Sequence, residues 1–419
     1  MTIARFGEKT TVAEPSDDME VLRLAREQGL ISESEMDRLL AEQSHHTERG
    51  RNKPVTSLAI ERGLLTEQHT YDLQIQSWIN QLDREFDGYE VTRLLGRGGM
   101  AVVFEGHDHS LGKRVALKVL LPEFSRNNTY LARFHREARI AAKLTHPNTV
   151  QVFRCGEQDG VQYLVMEYVE GETLADVIRN RGRMPEEEAV DIILQLTGAL
   201  EEAAELGIVH RDIKPANVLM SKWGMPRLTD FGIAKEFSDL QDPKIQMSLT
   251  MGIVGTPTYM SPEQARGAKR IDLRADIYSL GATLYHLVVG DVPFFADTPQ
   301  ETMVRVVSES PRPPRRLRPD LSEPLAAIIC KMMAKDPDNR YQSYAELEED
   351  LEAVRNAHDA SLTYRDALKL LLPTRQEDSA EYDGDYEEED EAADPRRILL
   401  IAGGVTLIGV VMLFLLNSC

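Results

Sequence analysis

The stretch IVHRDIKPANVLM, followed by TDFGIAK, constrains this chain more than any other feature. Asp212 has Lys214 two residues on and Asn217 five residues on, and Asp230 comes thirteen residues after Asn217. A carboxylate, an ammonium, an amide and a second carboxylate form the set that phosphoryl transfer to a hydroxyl requires. Asn217 and Asp230 offer hard oxygen ligands suited to magnesium, while Asp212 can accept the hydroxyl proton.

Upstream, YEVTRLLGRGGMAVVFEGHD alternates apolar residues on both sides of Gly96, Gly98 and Gly99, which predicts a strand, a glycine turn and a second strand. Such a turn lets backbone N–H groups approach phosphates, although alone it is weak evidence, because many hairpins use glycine for positive φ. VALKV then places Lys118 in an apolar, β-branched strand, where a buried ammonium needs an anionic partner. The helical stretch LARFHREARIAAKL offers Glu137 for that pairing, with Phe134, Ala138 and Ala141 on its packing side.

With Gly96-Arg97-Gly98, VALK, HRDIKPAN, DFG and SPE in this order, the sequence resembles the eukaryotic-like protein kinase family, particularly its bacterial serine/threonine branch. The resemblance covers residues 89–356. It implies an α+β fold with two lobes, a mainly β small one and a mainly α large one, and ATP in the cleft between them. Leu95, Gly96, Arg97, Gly98, Gly99 and Val103 match the phosphate-covering loop, whose third glycine is Ala101 here. Lys118 would hold the α- and β-phosphates and pair with Glu137; Met166 would be the gatekeeper, and Glu167 to Val169 the hinge that meets adenine. Asp212 is the implied base, Lys214 would neutralise charge on the γ-phosphate, and Asn217 and Asp230 would bind Mg2+. Lys214 in that position implies serine and threonine acceptors on protein substrates. Each mapped position holds a competent residue type, which argues against the alternative of a silent pseudokinase.

The resemblance also implies a switch. Arg211, before the base, carries a charge that a phosphorylated activation segment can pair with, and Ser248 and Thr250 in MSLTMGIVGTPTYMSPE are the expected phosphosites. Autophosphorylation between two copies of the chain, as a homodimer, would place them there. Thr256 is expected to contact the catalytic loop, Asp276 to brace it, and Arg340 to pair with Glu263. The arginine- and proline-rich SPRPPRRLRPD reads as a solvated loop between helices of the large lobe.

Ahead of these motifs lies a duplication. LAREQGLISESE and LAIERGLLTEQH align so that Leu24, Ala25, Glu27, Gly29, Leu30 and Glu33 recur as Leu58, Ala59, Glu61, Gly63, Leu64 and Glu67. Each copy predicts a helix ending at its glycine, with Ser32 or Thr66 capping the next helix. The pattern is similar to the N-terminal helical modules of type II secretion ATPases, some of which bind a cyclic dinucleotide. The Arg-Leu-Gly opening associated with that binding is not evident, and the second copy is ragged after Gln68. Residues 17–85 are therefore read as a protein-interaction module, after a flexible stretch at 1–16; a nucleotide-binding module and a bundle without a ligand are the alternatives. A membrane-tethered adaptor role could accompany catalysis.

The other end predicts an anchor. Residues 398–416, ILLIAGGVTLIGVVMLFLL, carry no charge and would reach about 28 Å as a helix, enough to span a bilayer. Arg396 and Arg397 would keep the preceding side in the cytoplasm, giving a single-pass, tail-anchored protein of the cell membrane. Residues 357–376 become a juxtamembrane segment and 377–397 an acidic linker. Of the formal net charge of −21, from 48 basic and 69 acidic residues, eleven negative charges sit between Glu377 and Asp394. That balance argues against nucleic acid as a partner. Cys155, Cys330 and Cys419 form neither a zinc spacing nor a disulfide framework.

Overall fold

The computed structural model describes residues 18–49, 53–82, 85–231, 257–356 and 364–371. The proposed membrane span, the acidic linker and the two phosphosites Ser248 and Thr250 lie outside them.

The front of the chain forms four helices, α1 (Asp18–Glu27), α2 (Glu33–Glu48), α3 (Val55–Glu61) and α4 (Glu67–Gln81). Helix α1 stops because Gly29 adopts φ +71 and the N–H of Leu30 returns to the carbonyl of Ala25; α3 stops in the same way through Gly63, φ +67, and Leu64 to Ala59. Ser32 and Thr66 then open α2 and α4, each accepting from the backbone N–H three residues on. Asp18 ties the two copies together by accepting from Val55 N at 3.1 Å and Thr56 Oγ1 at 3.0 Å. Val21, Leu22, Leu39, Val55, Leu58 and Leu73 fill the resulting core.

The next layer is a six-stranded antiparallel sheet in the order β1-β2-β3-β4-β6-β5. Its strands are β1 (Glu85–Phe86), β2 (Tyr89–Arg97), β3 (Ala101–Asp108), β4 (Lys113–Leu120), β5 (Val152–Gln158) and β6 (Val161–Glu167). Alternate residues of β3, Val102 and Phe104 among them, face the core of this lobe, as the period of a half-buried strand requires. Between β4 and β5 the chain makes the short helix α5 (Pro122–Ser125) and then α6 (Asn128–Ala141), which starts three residues before the stretch the sequence picks out. Asn127 explains the earlier start: its side chain accepts from Thr129 N and caps the helix.

The remainder is mainly helical. A small antiparallel sheet is formed by β7 (Gly171–Thr173), β8 (Val218–Ser221) and β9 (Pro226–Leu228). Behind it pack α7 (Leu174–Arg181), α8 (Glu186–Glu205) and the helices Leu273–Val289, Glu323–Met332 and Tyr344–Arg355 around a continuous apolar core. The stretch SPRPPRRLRPD departs from the solvated loop expected of it. Pro314–Leu317 form a helical turn, Arg318 donates to the carbonyls of Met184 at 2.8 Å and Val288 at 3.0 Å, and Arg312 O accepts from Tyr285. The arginine satisfies carbonyls left open at neighbouring element ends, which composition alone does not show.

Candidate active site

The glycine hairpin joins β2 to β3, and the Gly98 N–H donates to Ala101 O at 2.8 Å, closing its tip. A Cβ on Gly98 would sit 3.4 Å from that oxygen, while Gly96 has open space beside it. Val103 lies opposite Lys118 in the β3–β4 register and packs on the small-lobe core. Leu95 is exposed. The side chain of Arg97 leaves the hairpin for helix α4, where it meets Asp72 at 2.7 Å.

On the neighbouring strand, Met166 is buried opposite Ala116, and Glu167 lies opposite Val115. The Glu167 N–H donates to Gln151 O at 2.8 Å and its carboxylate meets Arg227 at 3.2 Å, while Val169 packs on the small-lobe core.

Lys118 reaches Asp230, its Nζ 2.7 Å from Oδ1. The side chain of Glu137, the partner expected from the sequence, lies outside the described residues; its helix, α6, packs against the sheet with Phe134 and Ala138 buried. Burial works against ionisation of Asp230, but the adjacent Lys118 ammonium and its hydrogen bond outweigh this, and the carboxyl stays below its ordinary range.

Asp212, Lys214 and Asn217 converge. Lys214 Nζ is 2.9 Å from Asp212 Oδ2, and the Asn217 amide donates to Asp212 O at 2.8 Å and to Oδ2 at 3.0 Å. That arrangement commits the amide nitrogen and leaves Asn217 its carbonyl oxygen as a ligand atom. Asn217 and Asp230 are joined through the backbone too, since Thr229 N donates to Asn217 O at 2.9 Å. Among the described residues no group of three or more His, Cys, Asp or Glu side chains could hold a metal. A carboxylate and an amide oxygen suit a hard cation that takes its other ligands from phosphate and water.

The loop carrying this cluster is held from below. Asp276, buried in the helix Leu273–Val289, accepts from His210 N at 2.6 Å and Arg211 N at 2.7 Å. Burial raises its carboxyl to about 7, with the two backbone donors opposing the rise. Arg211 takes φ +66, a conformation that costs a non-glycine residue energy and persists here under this bracing; Asp230 takes φ +57 where it meets Lys118. The Arg211 Nε is buried without a hydrogen-bond partner among the described residues. Gln264 donates to Arg211 O at 2.9 Å, and Glu263 grips the buried Arg340 at 2.6 and 2.8 Å.

His210 was not singled out as a site residue from the sequence, although it stands inside the central motif. It is fully buried between the two halves of the site, Nε2 3.1 Å from Thr229 O, Nδ1 accepting from Asp212 N at 3.2 Å, and its ring 4.6 Å from that of Phe231. Its place two residues before the base was the available signal.

The protein kinase domain model matches residues 89–366, more than half of the chain. The chain belongs to the protein kinase family. Serine/threonine-protein kinase PknB of Mycolicibacterium smegmatis is 41% identical over 292 residues, 68% of this chain and 46% of that protein. PknB of Mycobacterium tuberculosis is likewise 41% identical over 292 residues, with the same coverage. The chain thus spans less than half the length of these relatives. Among solved structures, the kinase domain of Mycobacterium tuberculosis PknI superposes with a TM-score of 0.53 at 30% identity, covering 66% of this chain and 99% of that one. The kinase domain accounts for the two lobes; the helices α1 to α4 precede the matched region.

Proposed function

We propose that this protein kinase transfers the γ-phosphoryl group of ATP to serine and threonine hydroxyls of proteins. The observation that carries the reading is the hydrogen-bonded cluster of Asp212, Lys214 and Asn217, with Asp230 held ionised against Lys118. Asp212 accepts the proton of the acceptor hydroxyl while the hydroxyl oxygen forms the bond to the γ-phosphorus and the bond from that phosphorus to the β–γ bridging oxygen breaks. Lys214, beside Asp212, is placed to meet negative charge on the transferring group. Asn217 and Asp230 would hold Mg2+, which when bound offsets phosphate charge. The hairpin at Gly96–Gly99 covers the phosphates, Lys118 binds the α- and β-phosphates, and the Glu167–Val169 backbone takes the adenine. The pseudokinase alternative would require a missing ionisable group, and Lys118, Asp212 and Asp230 are all present.

Three finer features belong to the same proposal. Autophosphorylation at Ser248 and Thr250 would give the Arg211 guanidinium, whose Nε is buried without a hydrogen-bond partner among the described residues, an anionic partner. The uncharged run at 398–416 anchors the chain in the cell membrane with the kinase domain in the cytoplasm. The front module serves in protein interaction.

The deciding experiment compares the full chain with Asp212→Asn for transfer of labelled γ-phosphate to a basic protein rich in serine and threonine. Loss of label in the variant supports the enzyme; equal label in both defeats it.

A further inference from the structure

Helix α4 belongs to two cores at once. Leu73 lies in the core of the front module, whereas Ile75 and Trp78, with Tyr71, Ile79 and Leu82 partly buried beside them, lie in that of the kinase small lobe. Positions 71, 75, 78, 79 and 82 recur at helical spacing and define one face. The module is therefore packed into the lobe that carries the glycine hairpin.

The first turns of α4 touch the glycine hairpin and the short helix α5 beside it. Asp72 Oδ1 lies 2.7 Å from an Nη of Arg97, the residue between Gly96 and Gly98, and the Arg97 guanidinium stands 5.6 Å from the centre of the Tyr71 ring. The Tyr71 hydroxyl donates to Glu123 Oε1 at 2.7 Å. Burial, and then the neighbouring Glu123, raise the phenol above its ordinary range, so it stays a donor. Glu123 belongs to α5, between the strand of Lys118 and helix α6, and Leu121 N just before it donates to Met100 O at 2.9 Å in the hairpin.

We infer that Asp72 and Tyr71 are positioning residues for the hairpin, so that the front helical module sets how tightly this kinase holds the phosphates of its nucleotide. The inference rests on reading Gly96–Gly99 as the phosphate-covering turn. A hairpin with three glycines loses much backbone freedom when it closes on a ligand. Fixing its charged side chain, Arg97, to a packed helix removes part of that loss beforehand. Arg97, being committed to Asp72, acts by holding the hairpin in place. The pair is partly exposed, 27% at Arg97 and 44% at Asp72, so its effect is small and salt-sensitive.

The test uses the full chain and two probes, a non-hydrolysable ATP analogue with Mg2+ and adenosine, with steady-state kinetics in parallel. Asp72→Ala is expected to weaken the analogue about two- to five-fold, to raise KM for ATP by the same factor with kcat changing less, and to leave adenosine binding as in the wild type. Asp72→Glu should restore the affinity, the difference should vanish near ~1 M salt, and Asp72→Ala combined with Arg97→Ala should bind no worse than Arg97→Ala alone. Equal losses for analogue and adenosine, an unchanged or lowered KM, or additive effects of the two alanines would overturn the inference. Wild type that binds the analogue no better than adenosine would overturn the phosphate-turn reading, and that result appears before any variant is made.

Discussion

Asn217 donates its side-chain amide to both the main-chain carbonyl and the carboxylate of Asp212, at 2.8 and 3.0 Å. The residue proposed as a cation ligand thus also fixes the rotamer of the proposed base. Asn217→Ala should lower kcat about ten- to a hundred-fold, since small misplacements of a reacting group are that costly. It should also raise the magnesium concentration that gives half-maximal rate. Its effect on stability should be about 2–3 kcal/mol, because a buried side chain loses two hydrogen bonds, one of them to a charged carboxylate. Magnesium titrations of the initial rate, with denaturant melts of both proteins, check this; an unshifted magnesium midpoint would remove Asn217 from the cation site.

The pair Glu263–Arg340 is structural. Arg340 is buried and also donates to Ala334 O and Arg274 O, both at 2.8 Å, so Glu263→Ala would leave a guanidinium charge without its counter-ion. Losses of about 3–5 kcal/mol are expected of such a change. Replacing both residues by apolar ones should cost much less than the sum of the single losses. Urea unfolding of the four proteins in the cycle measures the coupling, and strict additivity would show that the two groups act independently.

His210 gives the chain a pH dependence of known sign. Burial, opposed chiefly by the Asp212 charge, lowers its imidazole to about 4. The unfolded residue titrates near 6.5. Between those values the unfolded chain binds the extra proton, so this residue's contribution is complete above about pH 6.5 and is lost as pH falls toward about 4. The His210 ring should therefore show no titration by NMR from pH 8 down to about 5, whereas exposed histidines titrate within that range. A midpoint near 6.5 would contradict the buried neutral ring.

What could be read in the sequence followed the reach of its signals. Gly29 and Gly63 end helices where the duplication places them, because a left-handed cap is a local requirement and a glycine announces it. Asp212, Lys214 and Asn217 come together because their spacing is short enough for one loop to fix their relation. The contact of Asp72 with Arg97 left no such trace. Both are ordinary surface-type residues, the second repeat loses its pattern before Asp72, and only the packing of Trp78 and Ile75 into the small lobe brings them together. Arg318 was missed for a related reason: an arginine in a proline-rich stretch reads as solvated until the carbonyls of Met184 and Val288 are seen to face it.

Lys118 and Asp230 should be coupled through charge as well as distance. Burial alone would push the Asp230 carboxyl upward, and the Lys118 ammonium 2.7 Å away reverses that direction. Lys118→Met removes the opposing charge and leaves the desolvation, so the carboxyl should rise. Beyond weaker nucleotide binding, the residual activity should then fail at a higher pH on the acid side than in wild type, because a protonated Asp230 no longer offers a carboxylate to a cation. The profile of kcat/KM against pH, taken for both proteins at saturating magnesium, reads this directly. Superimposable acid limbs would mean that Asp230 owes its ionised state to groups other than Lys118.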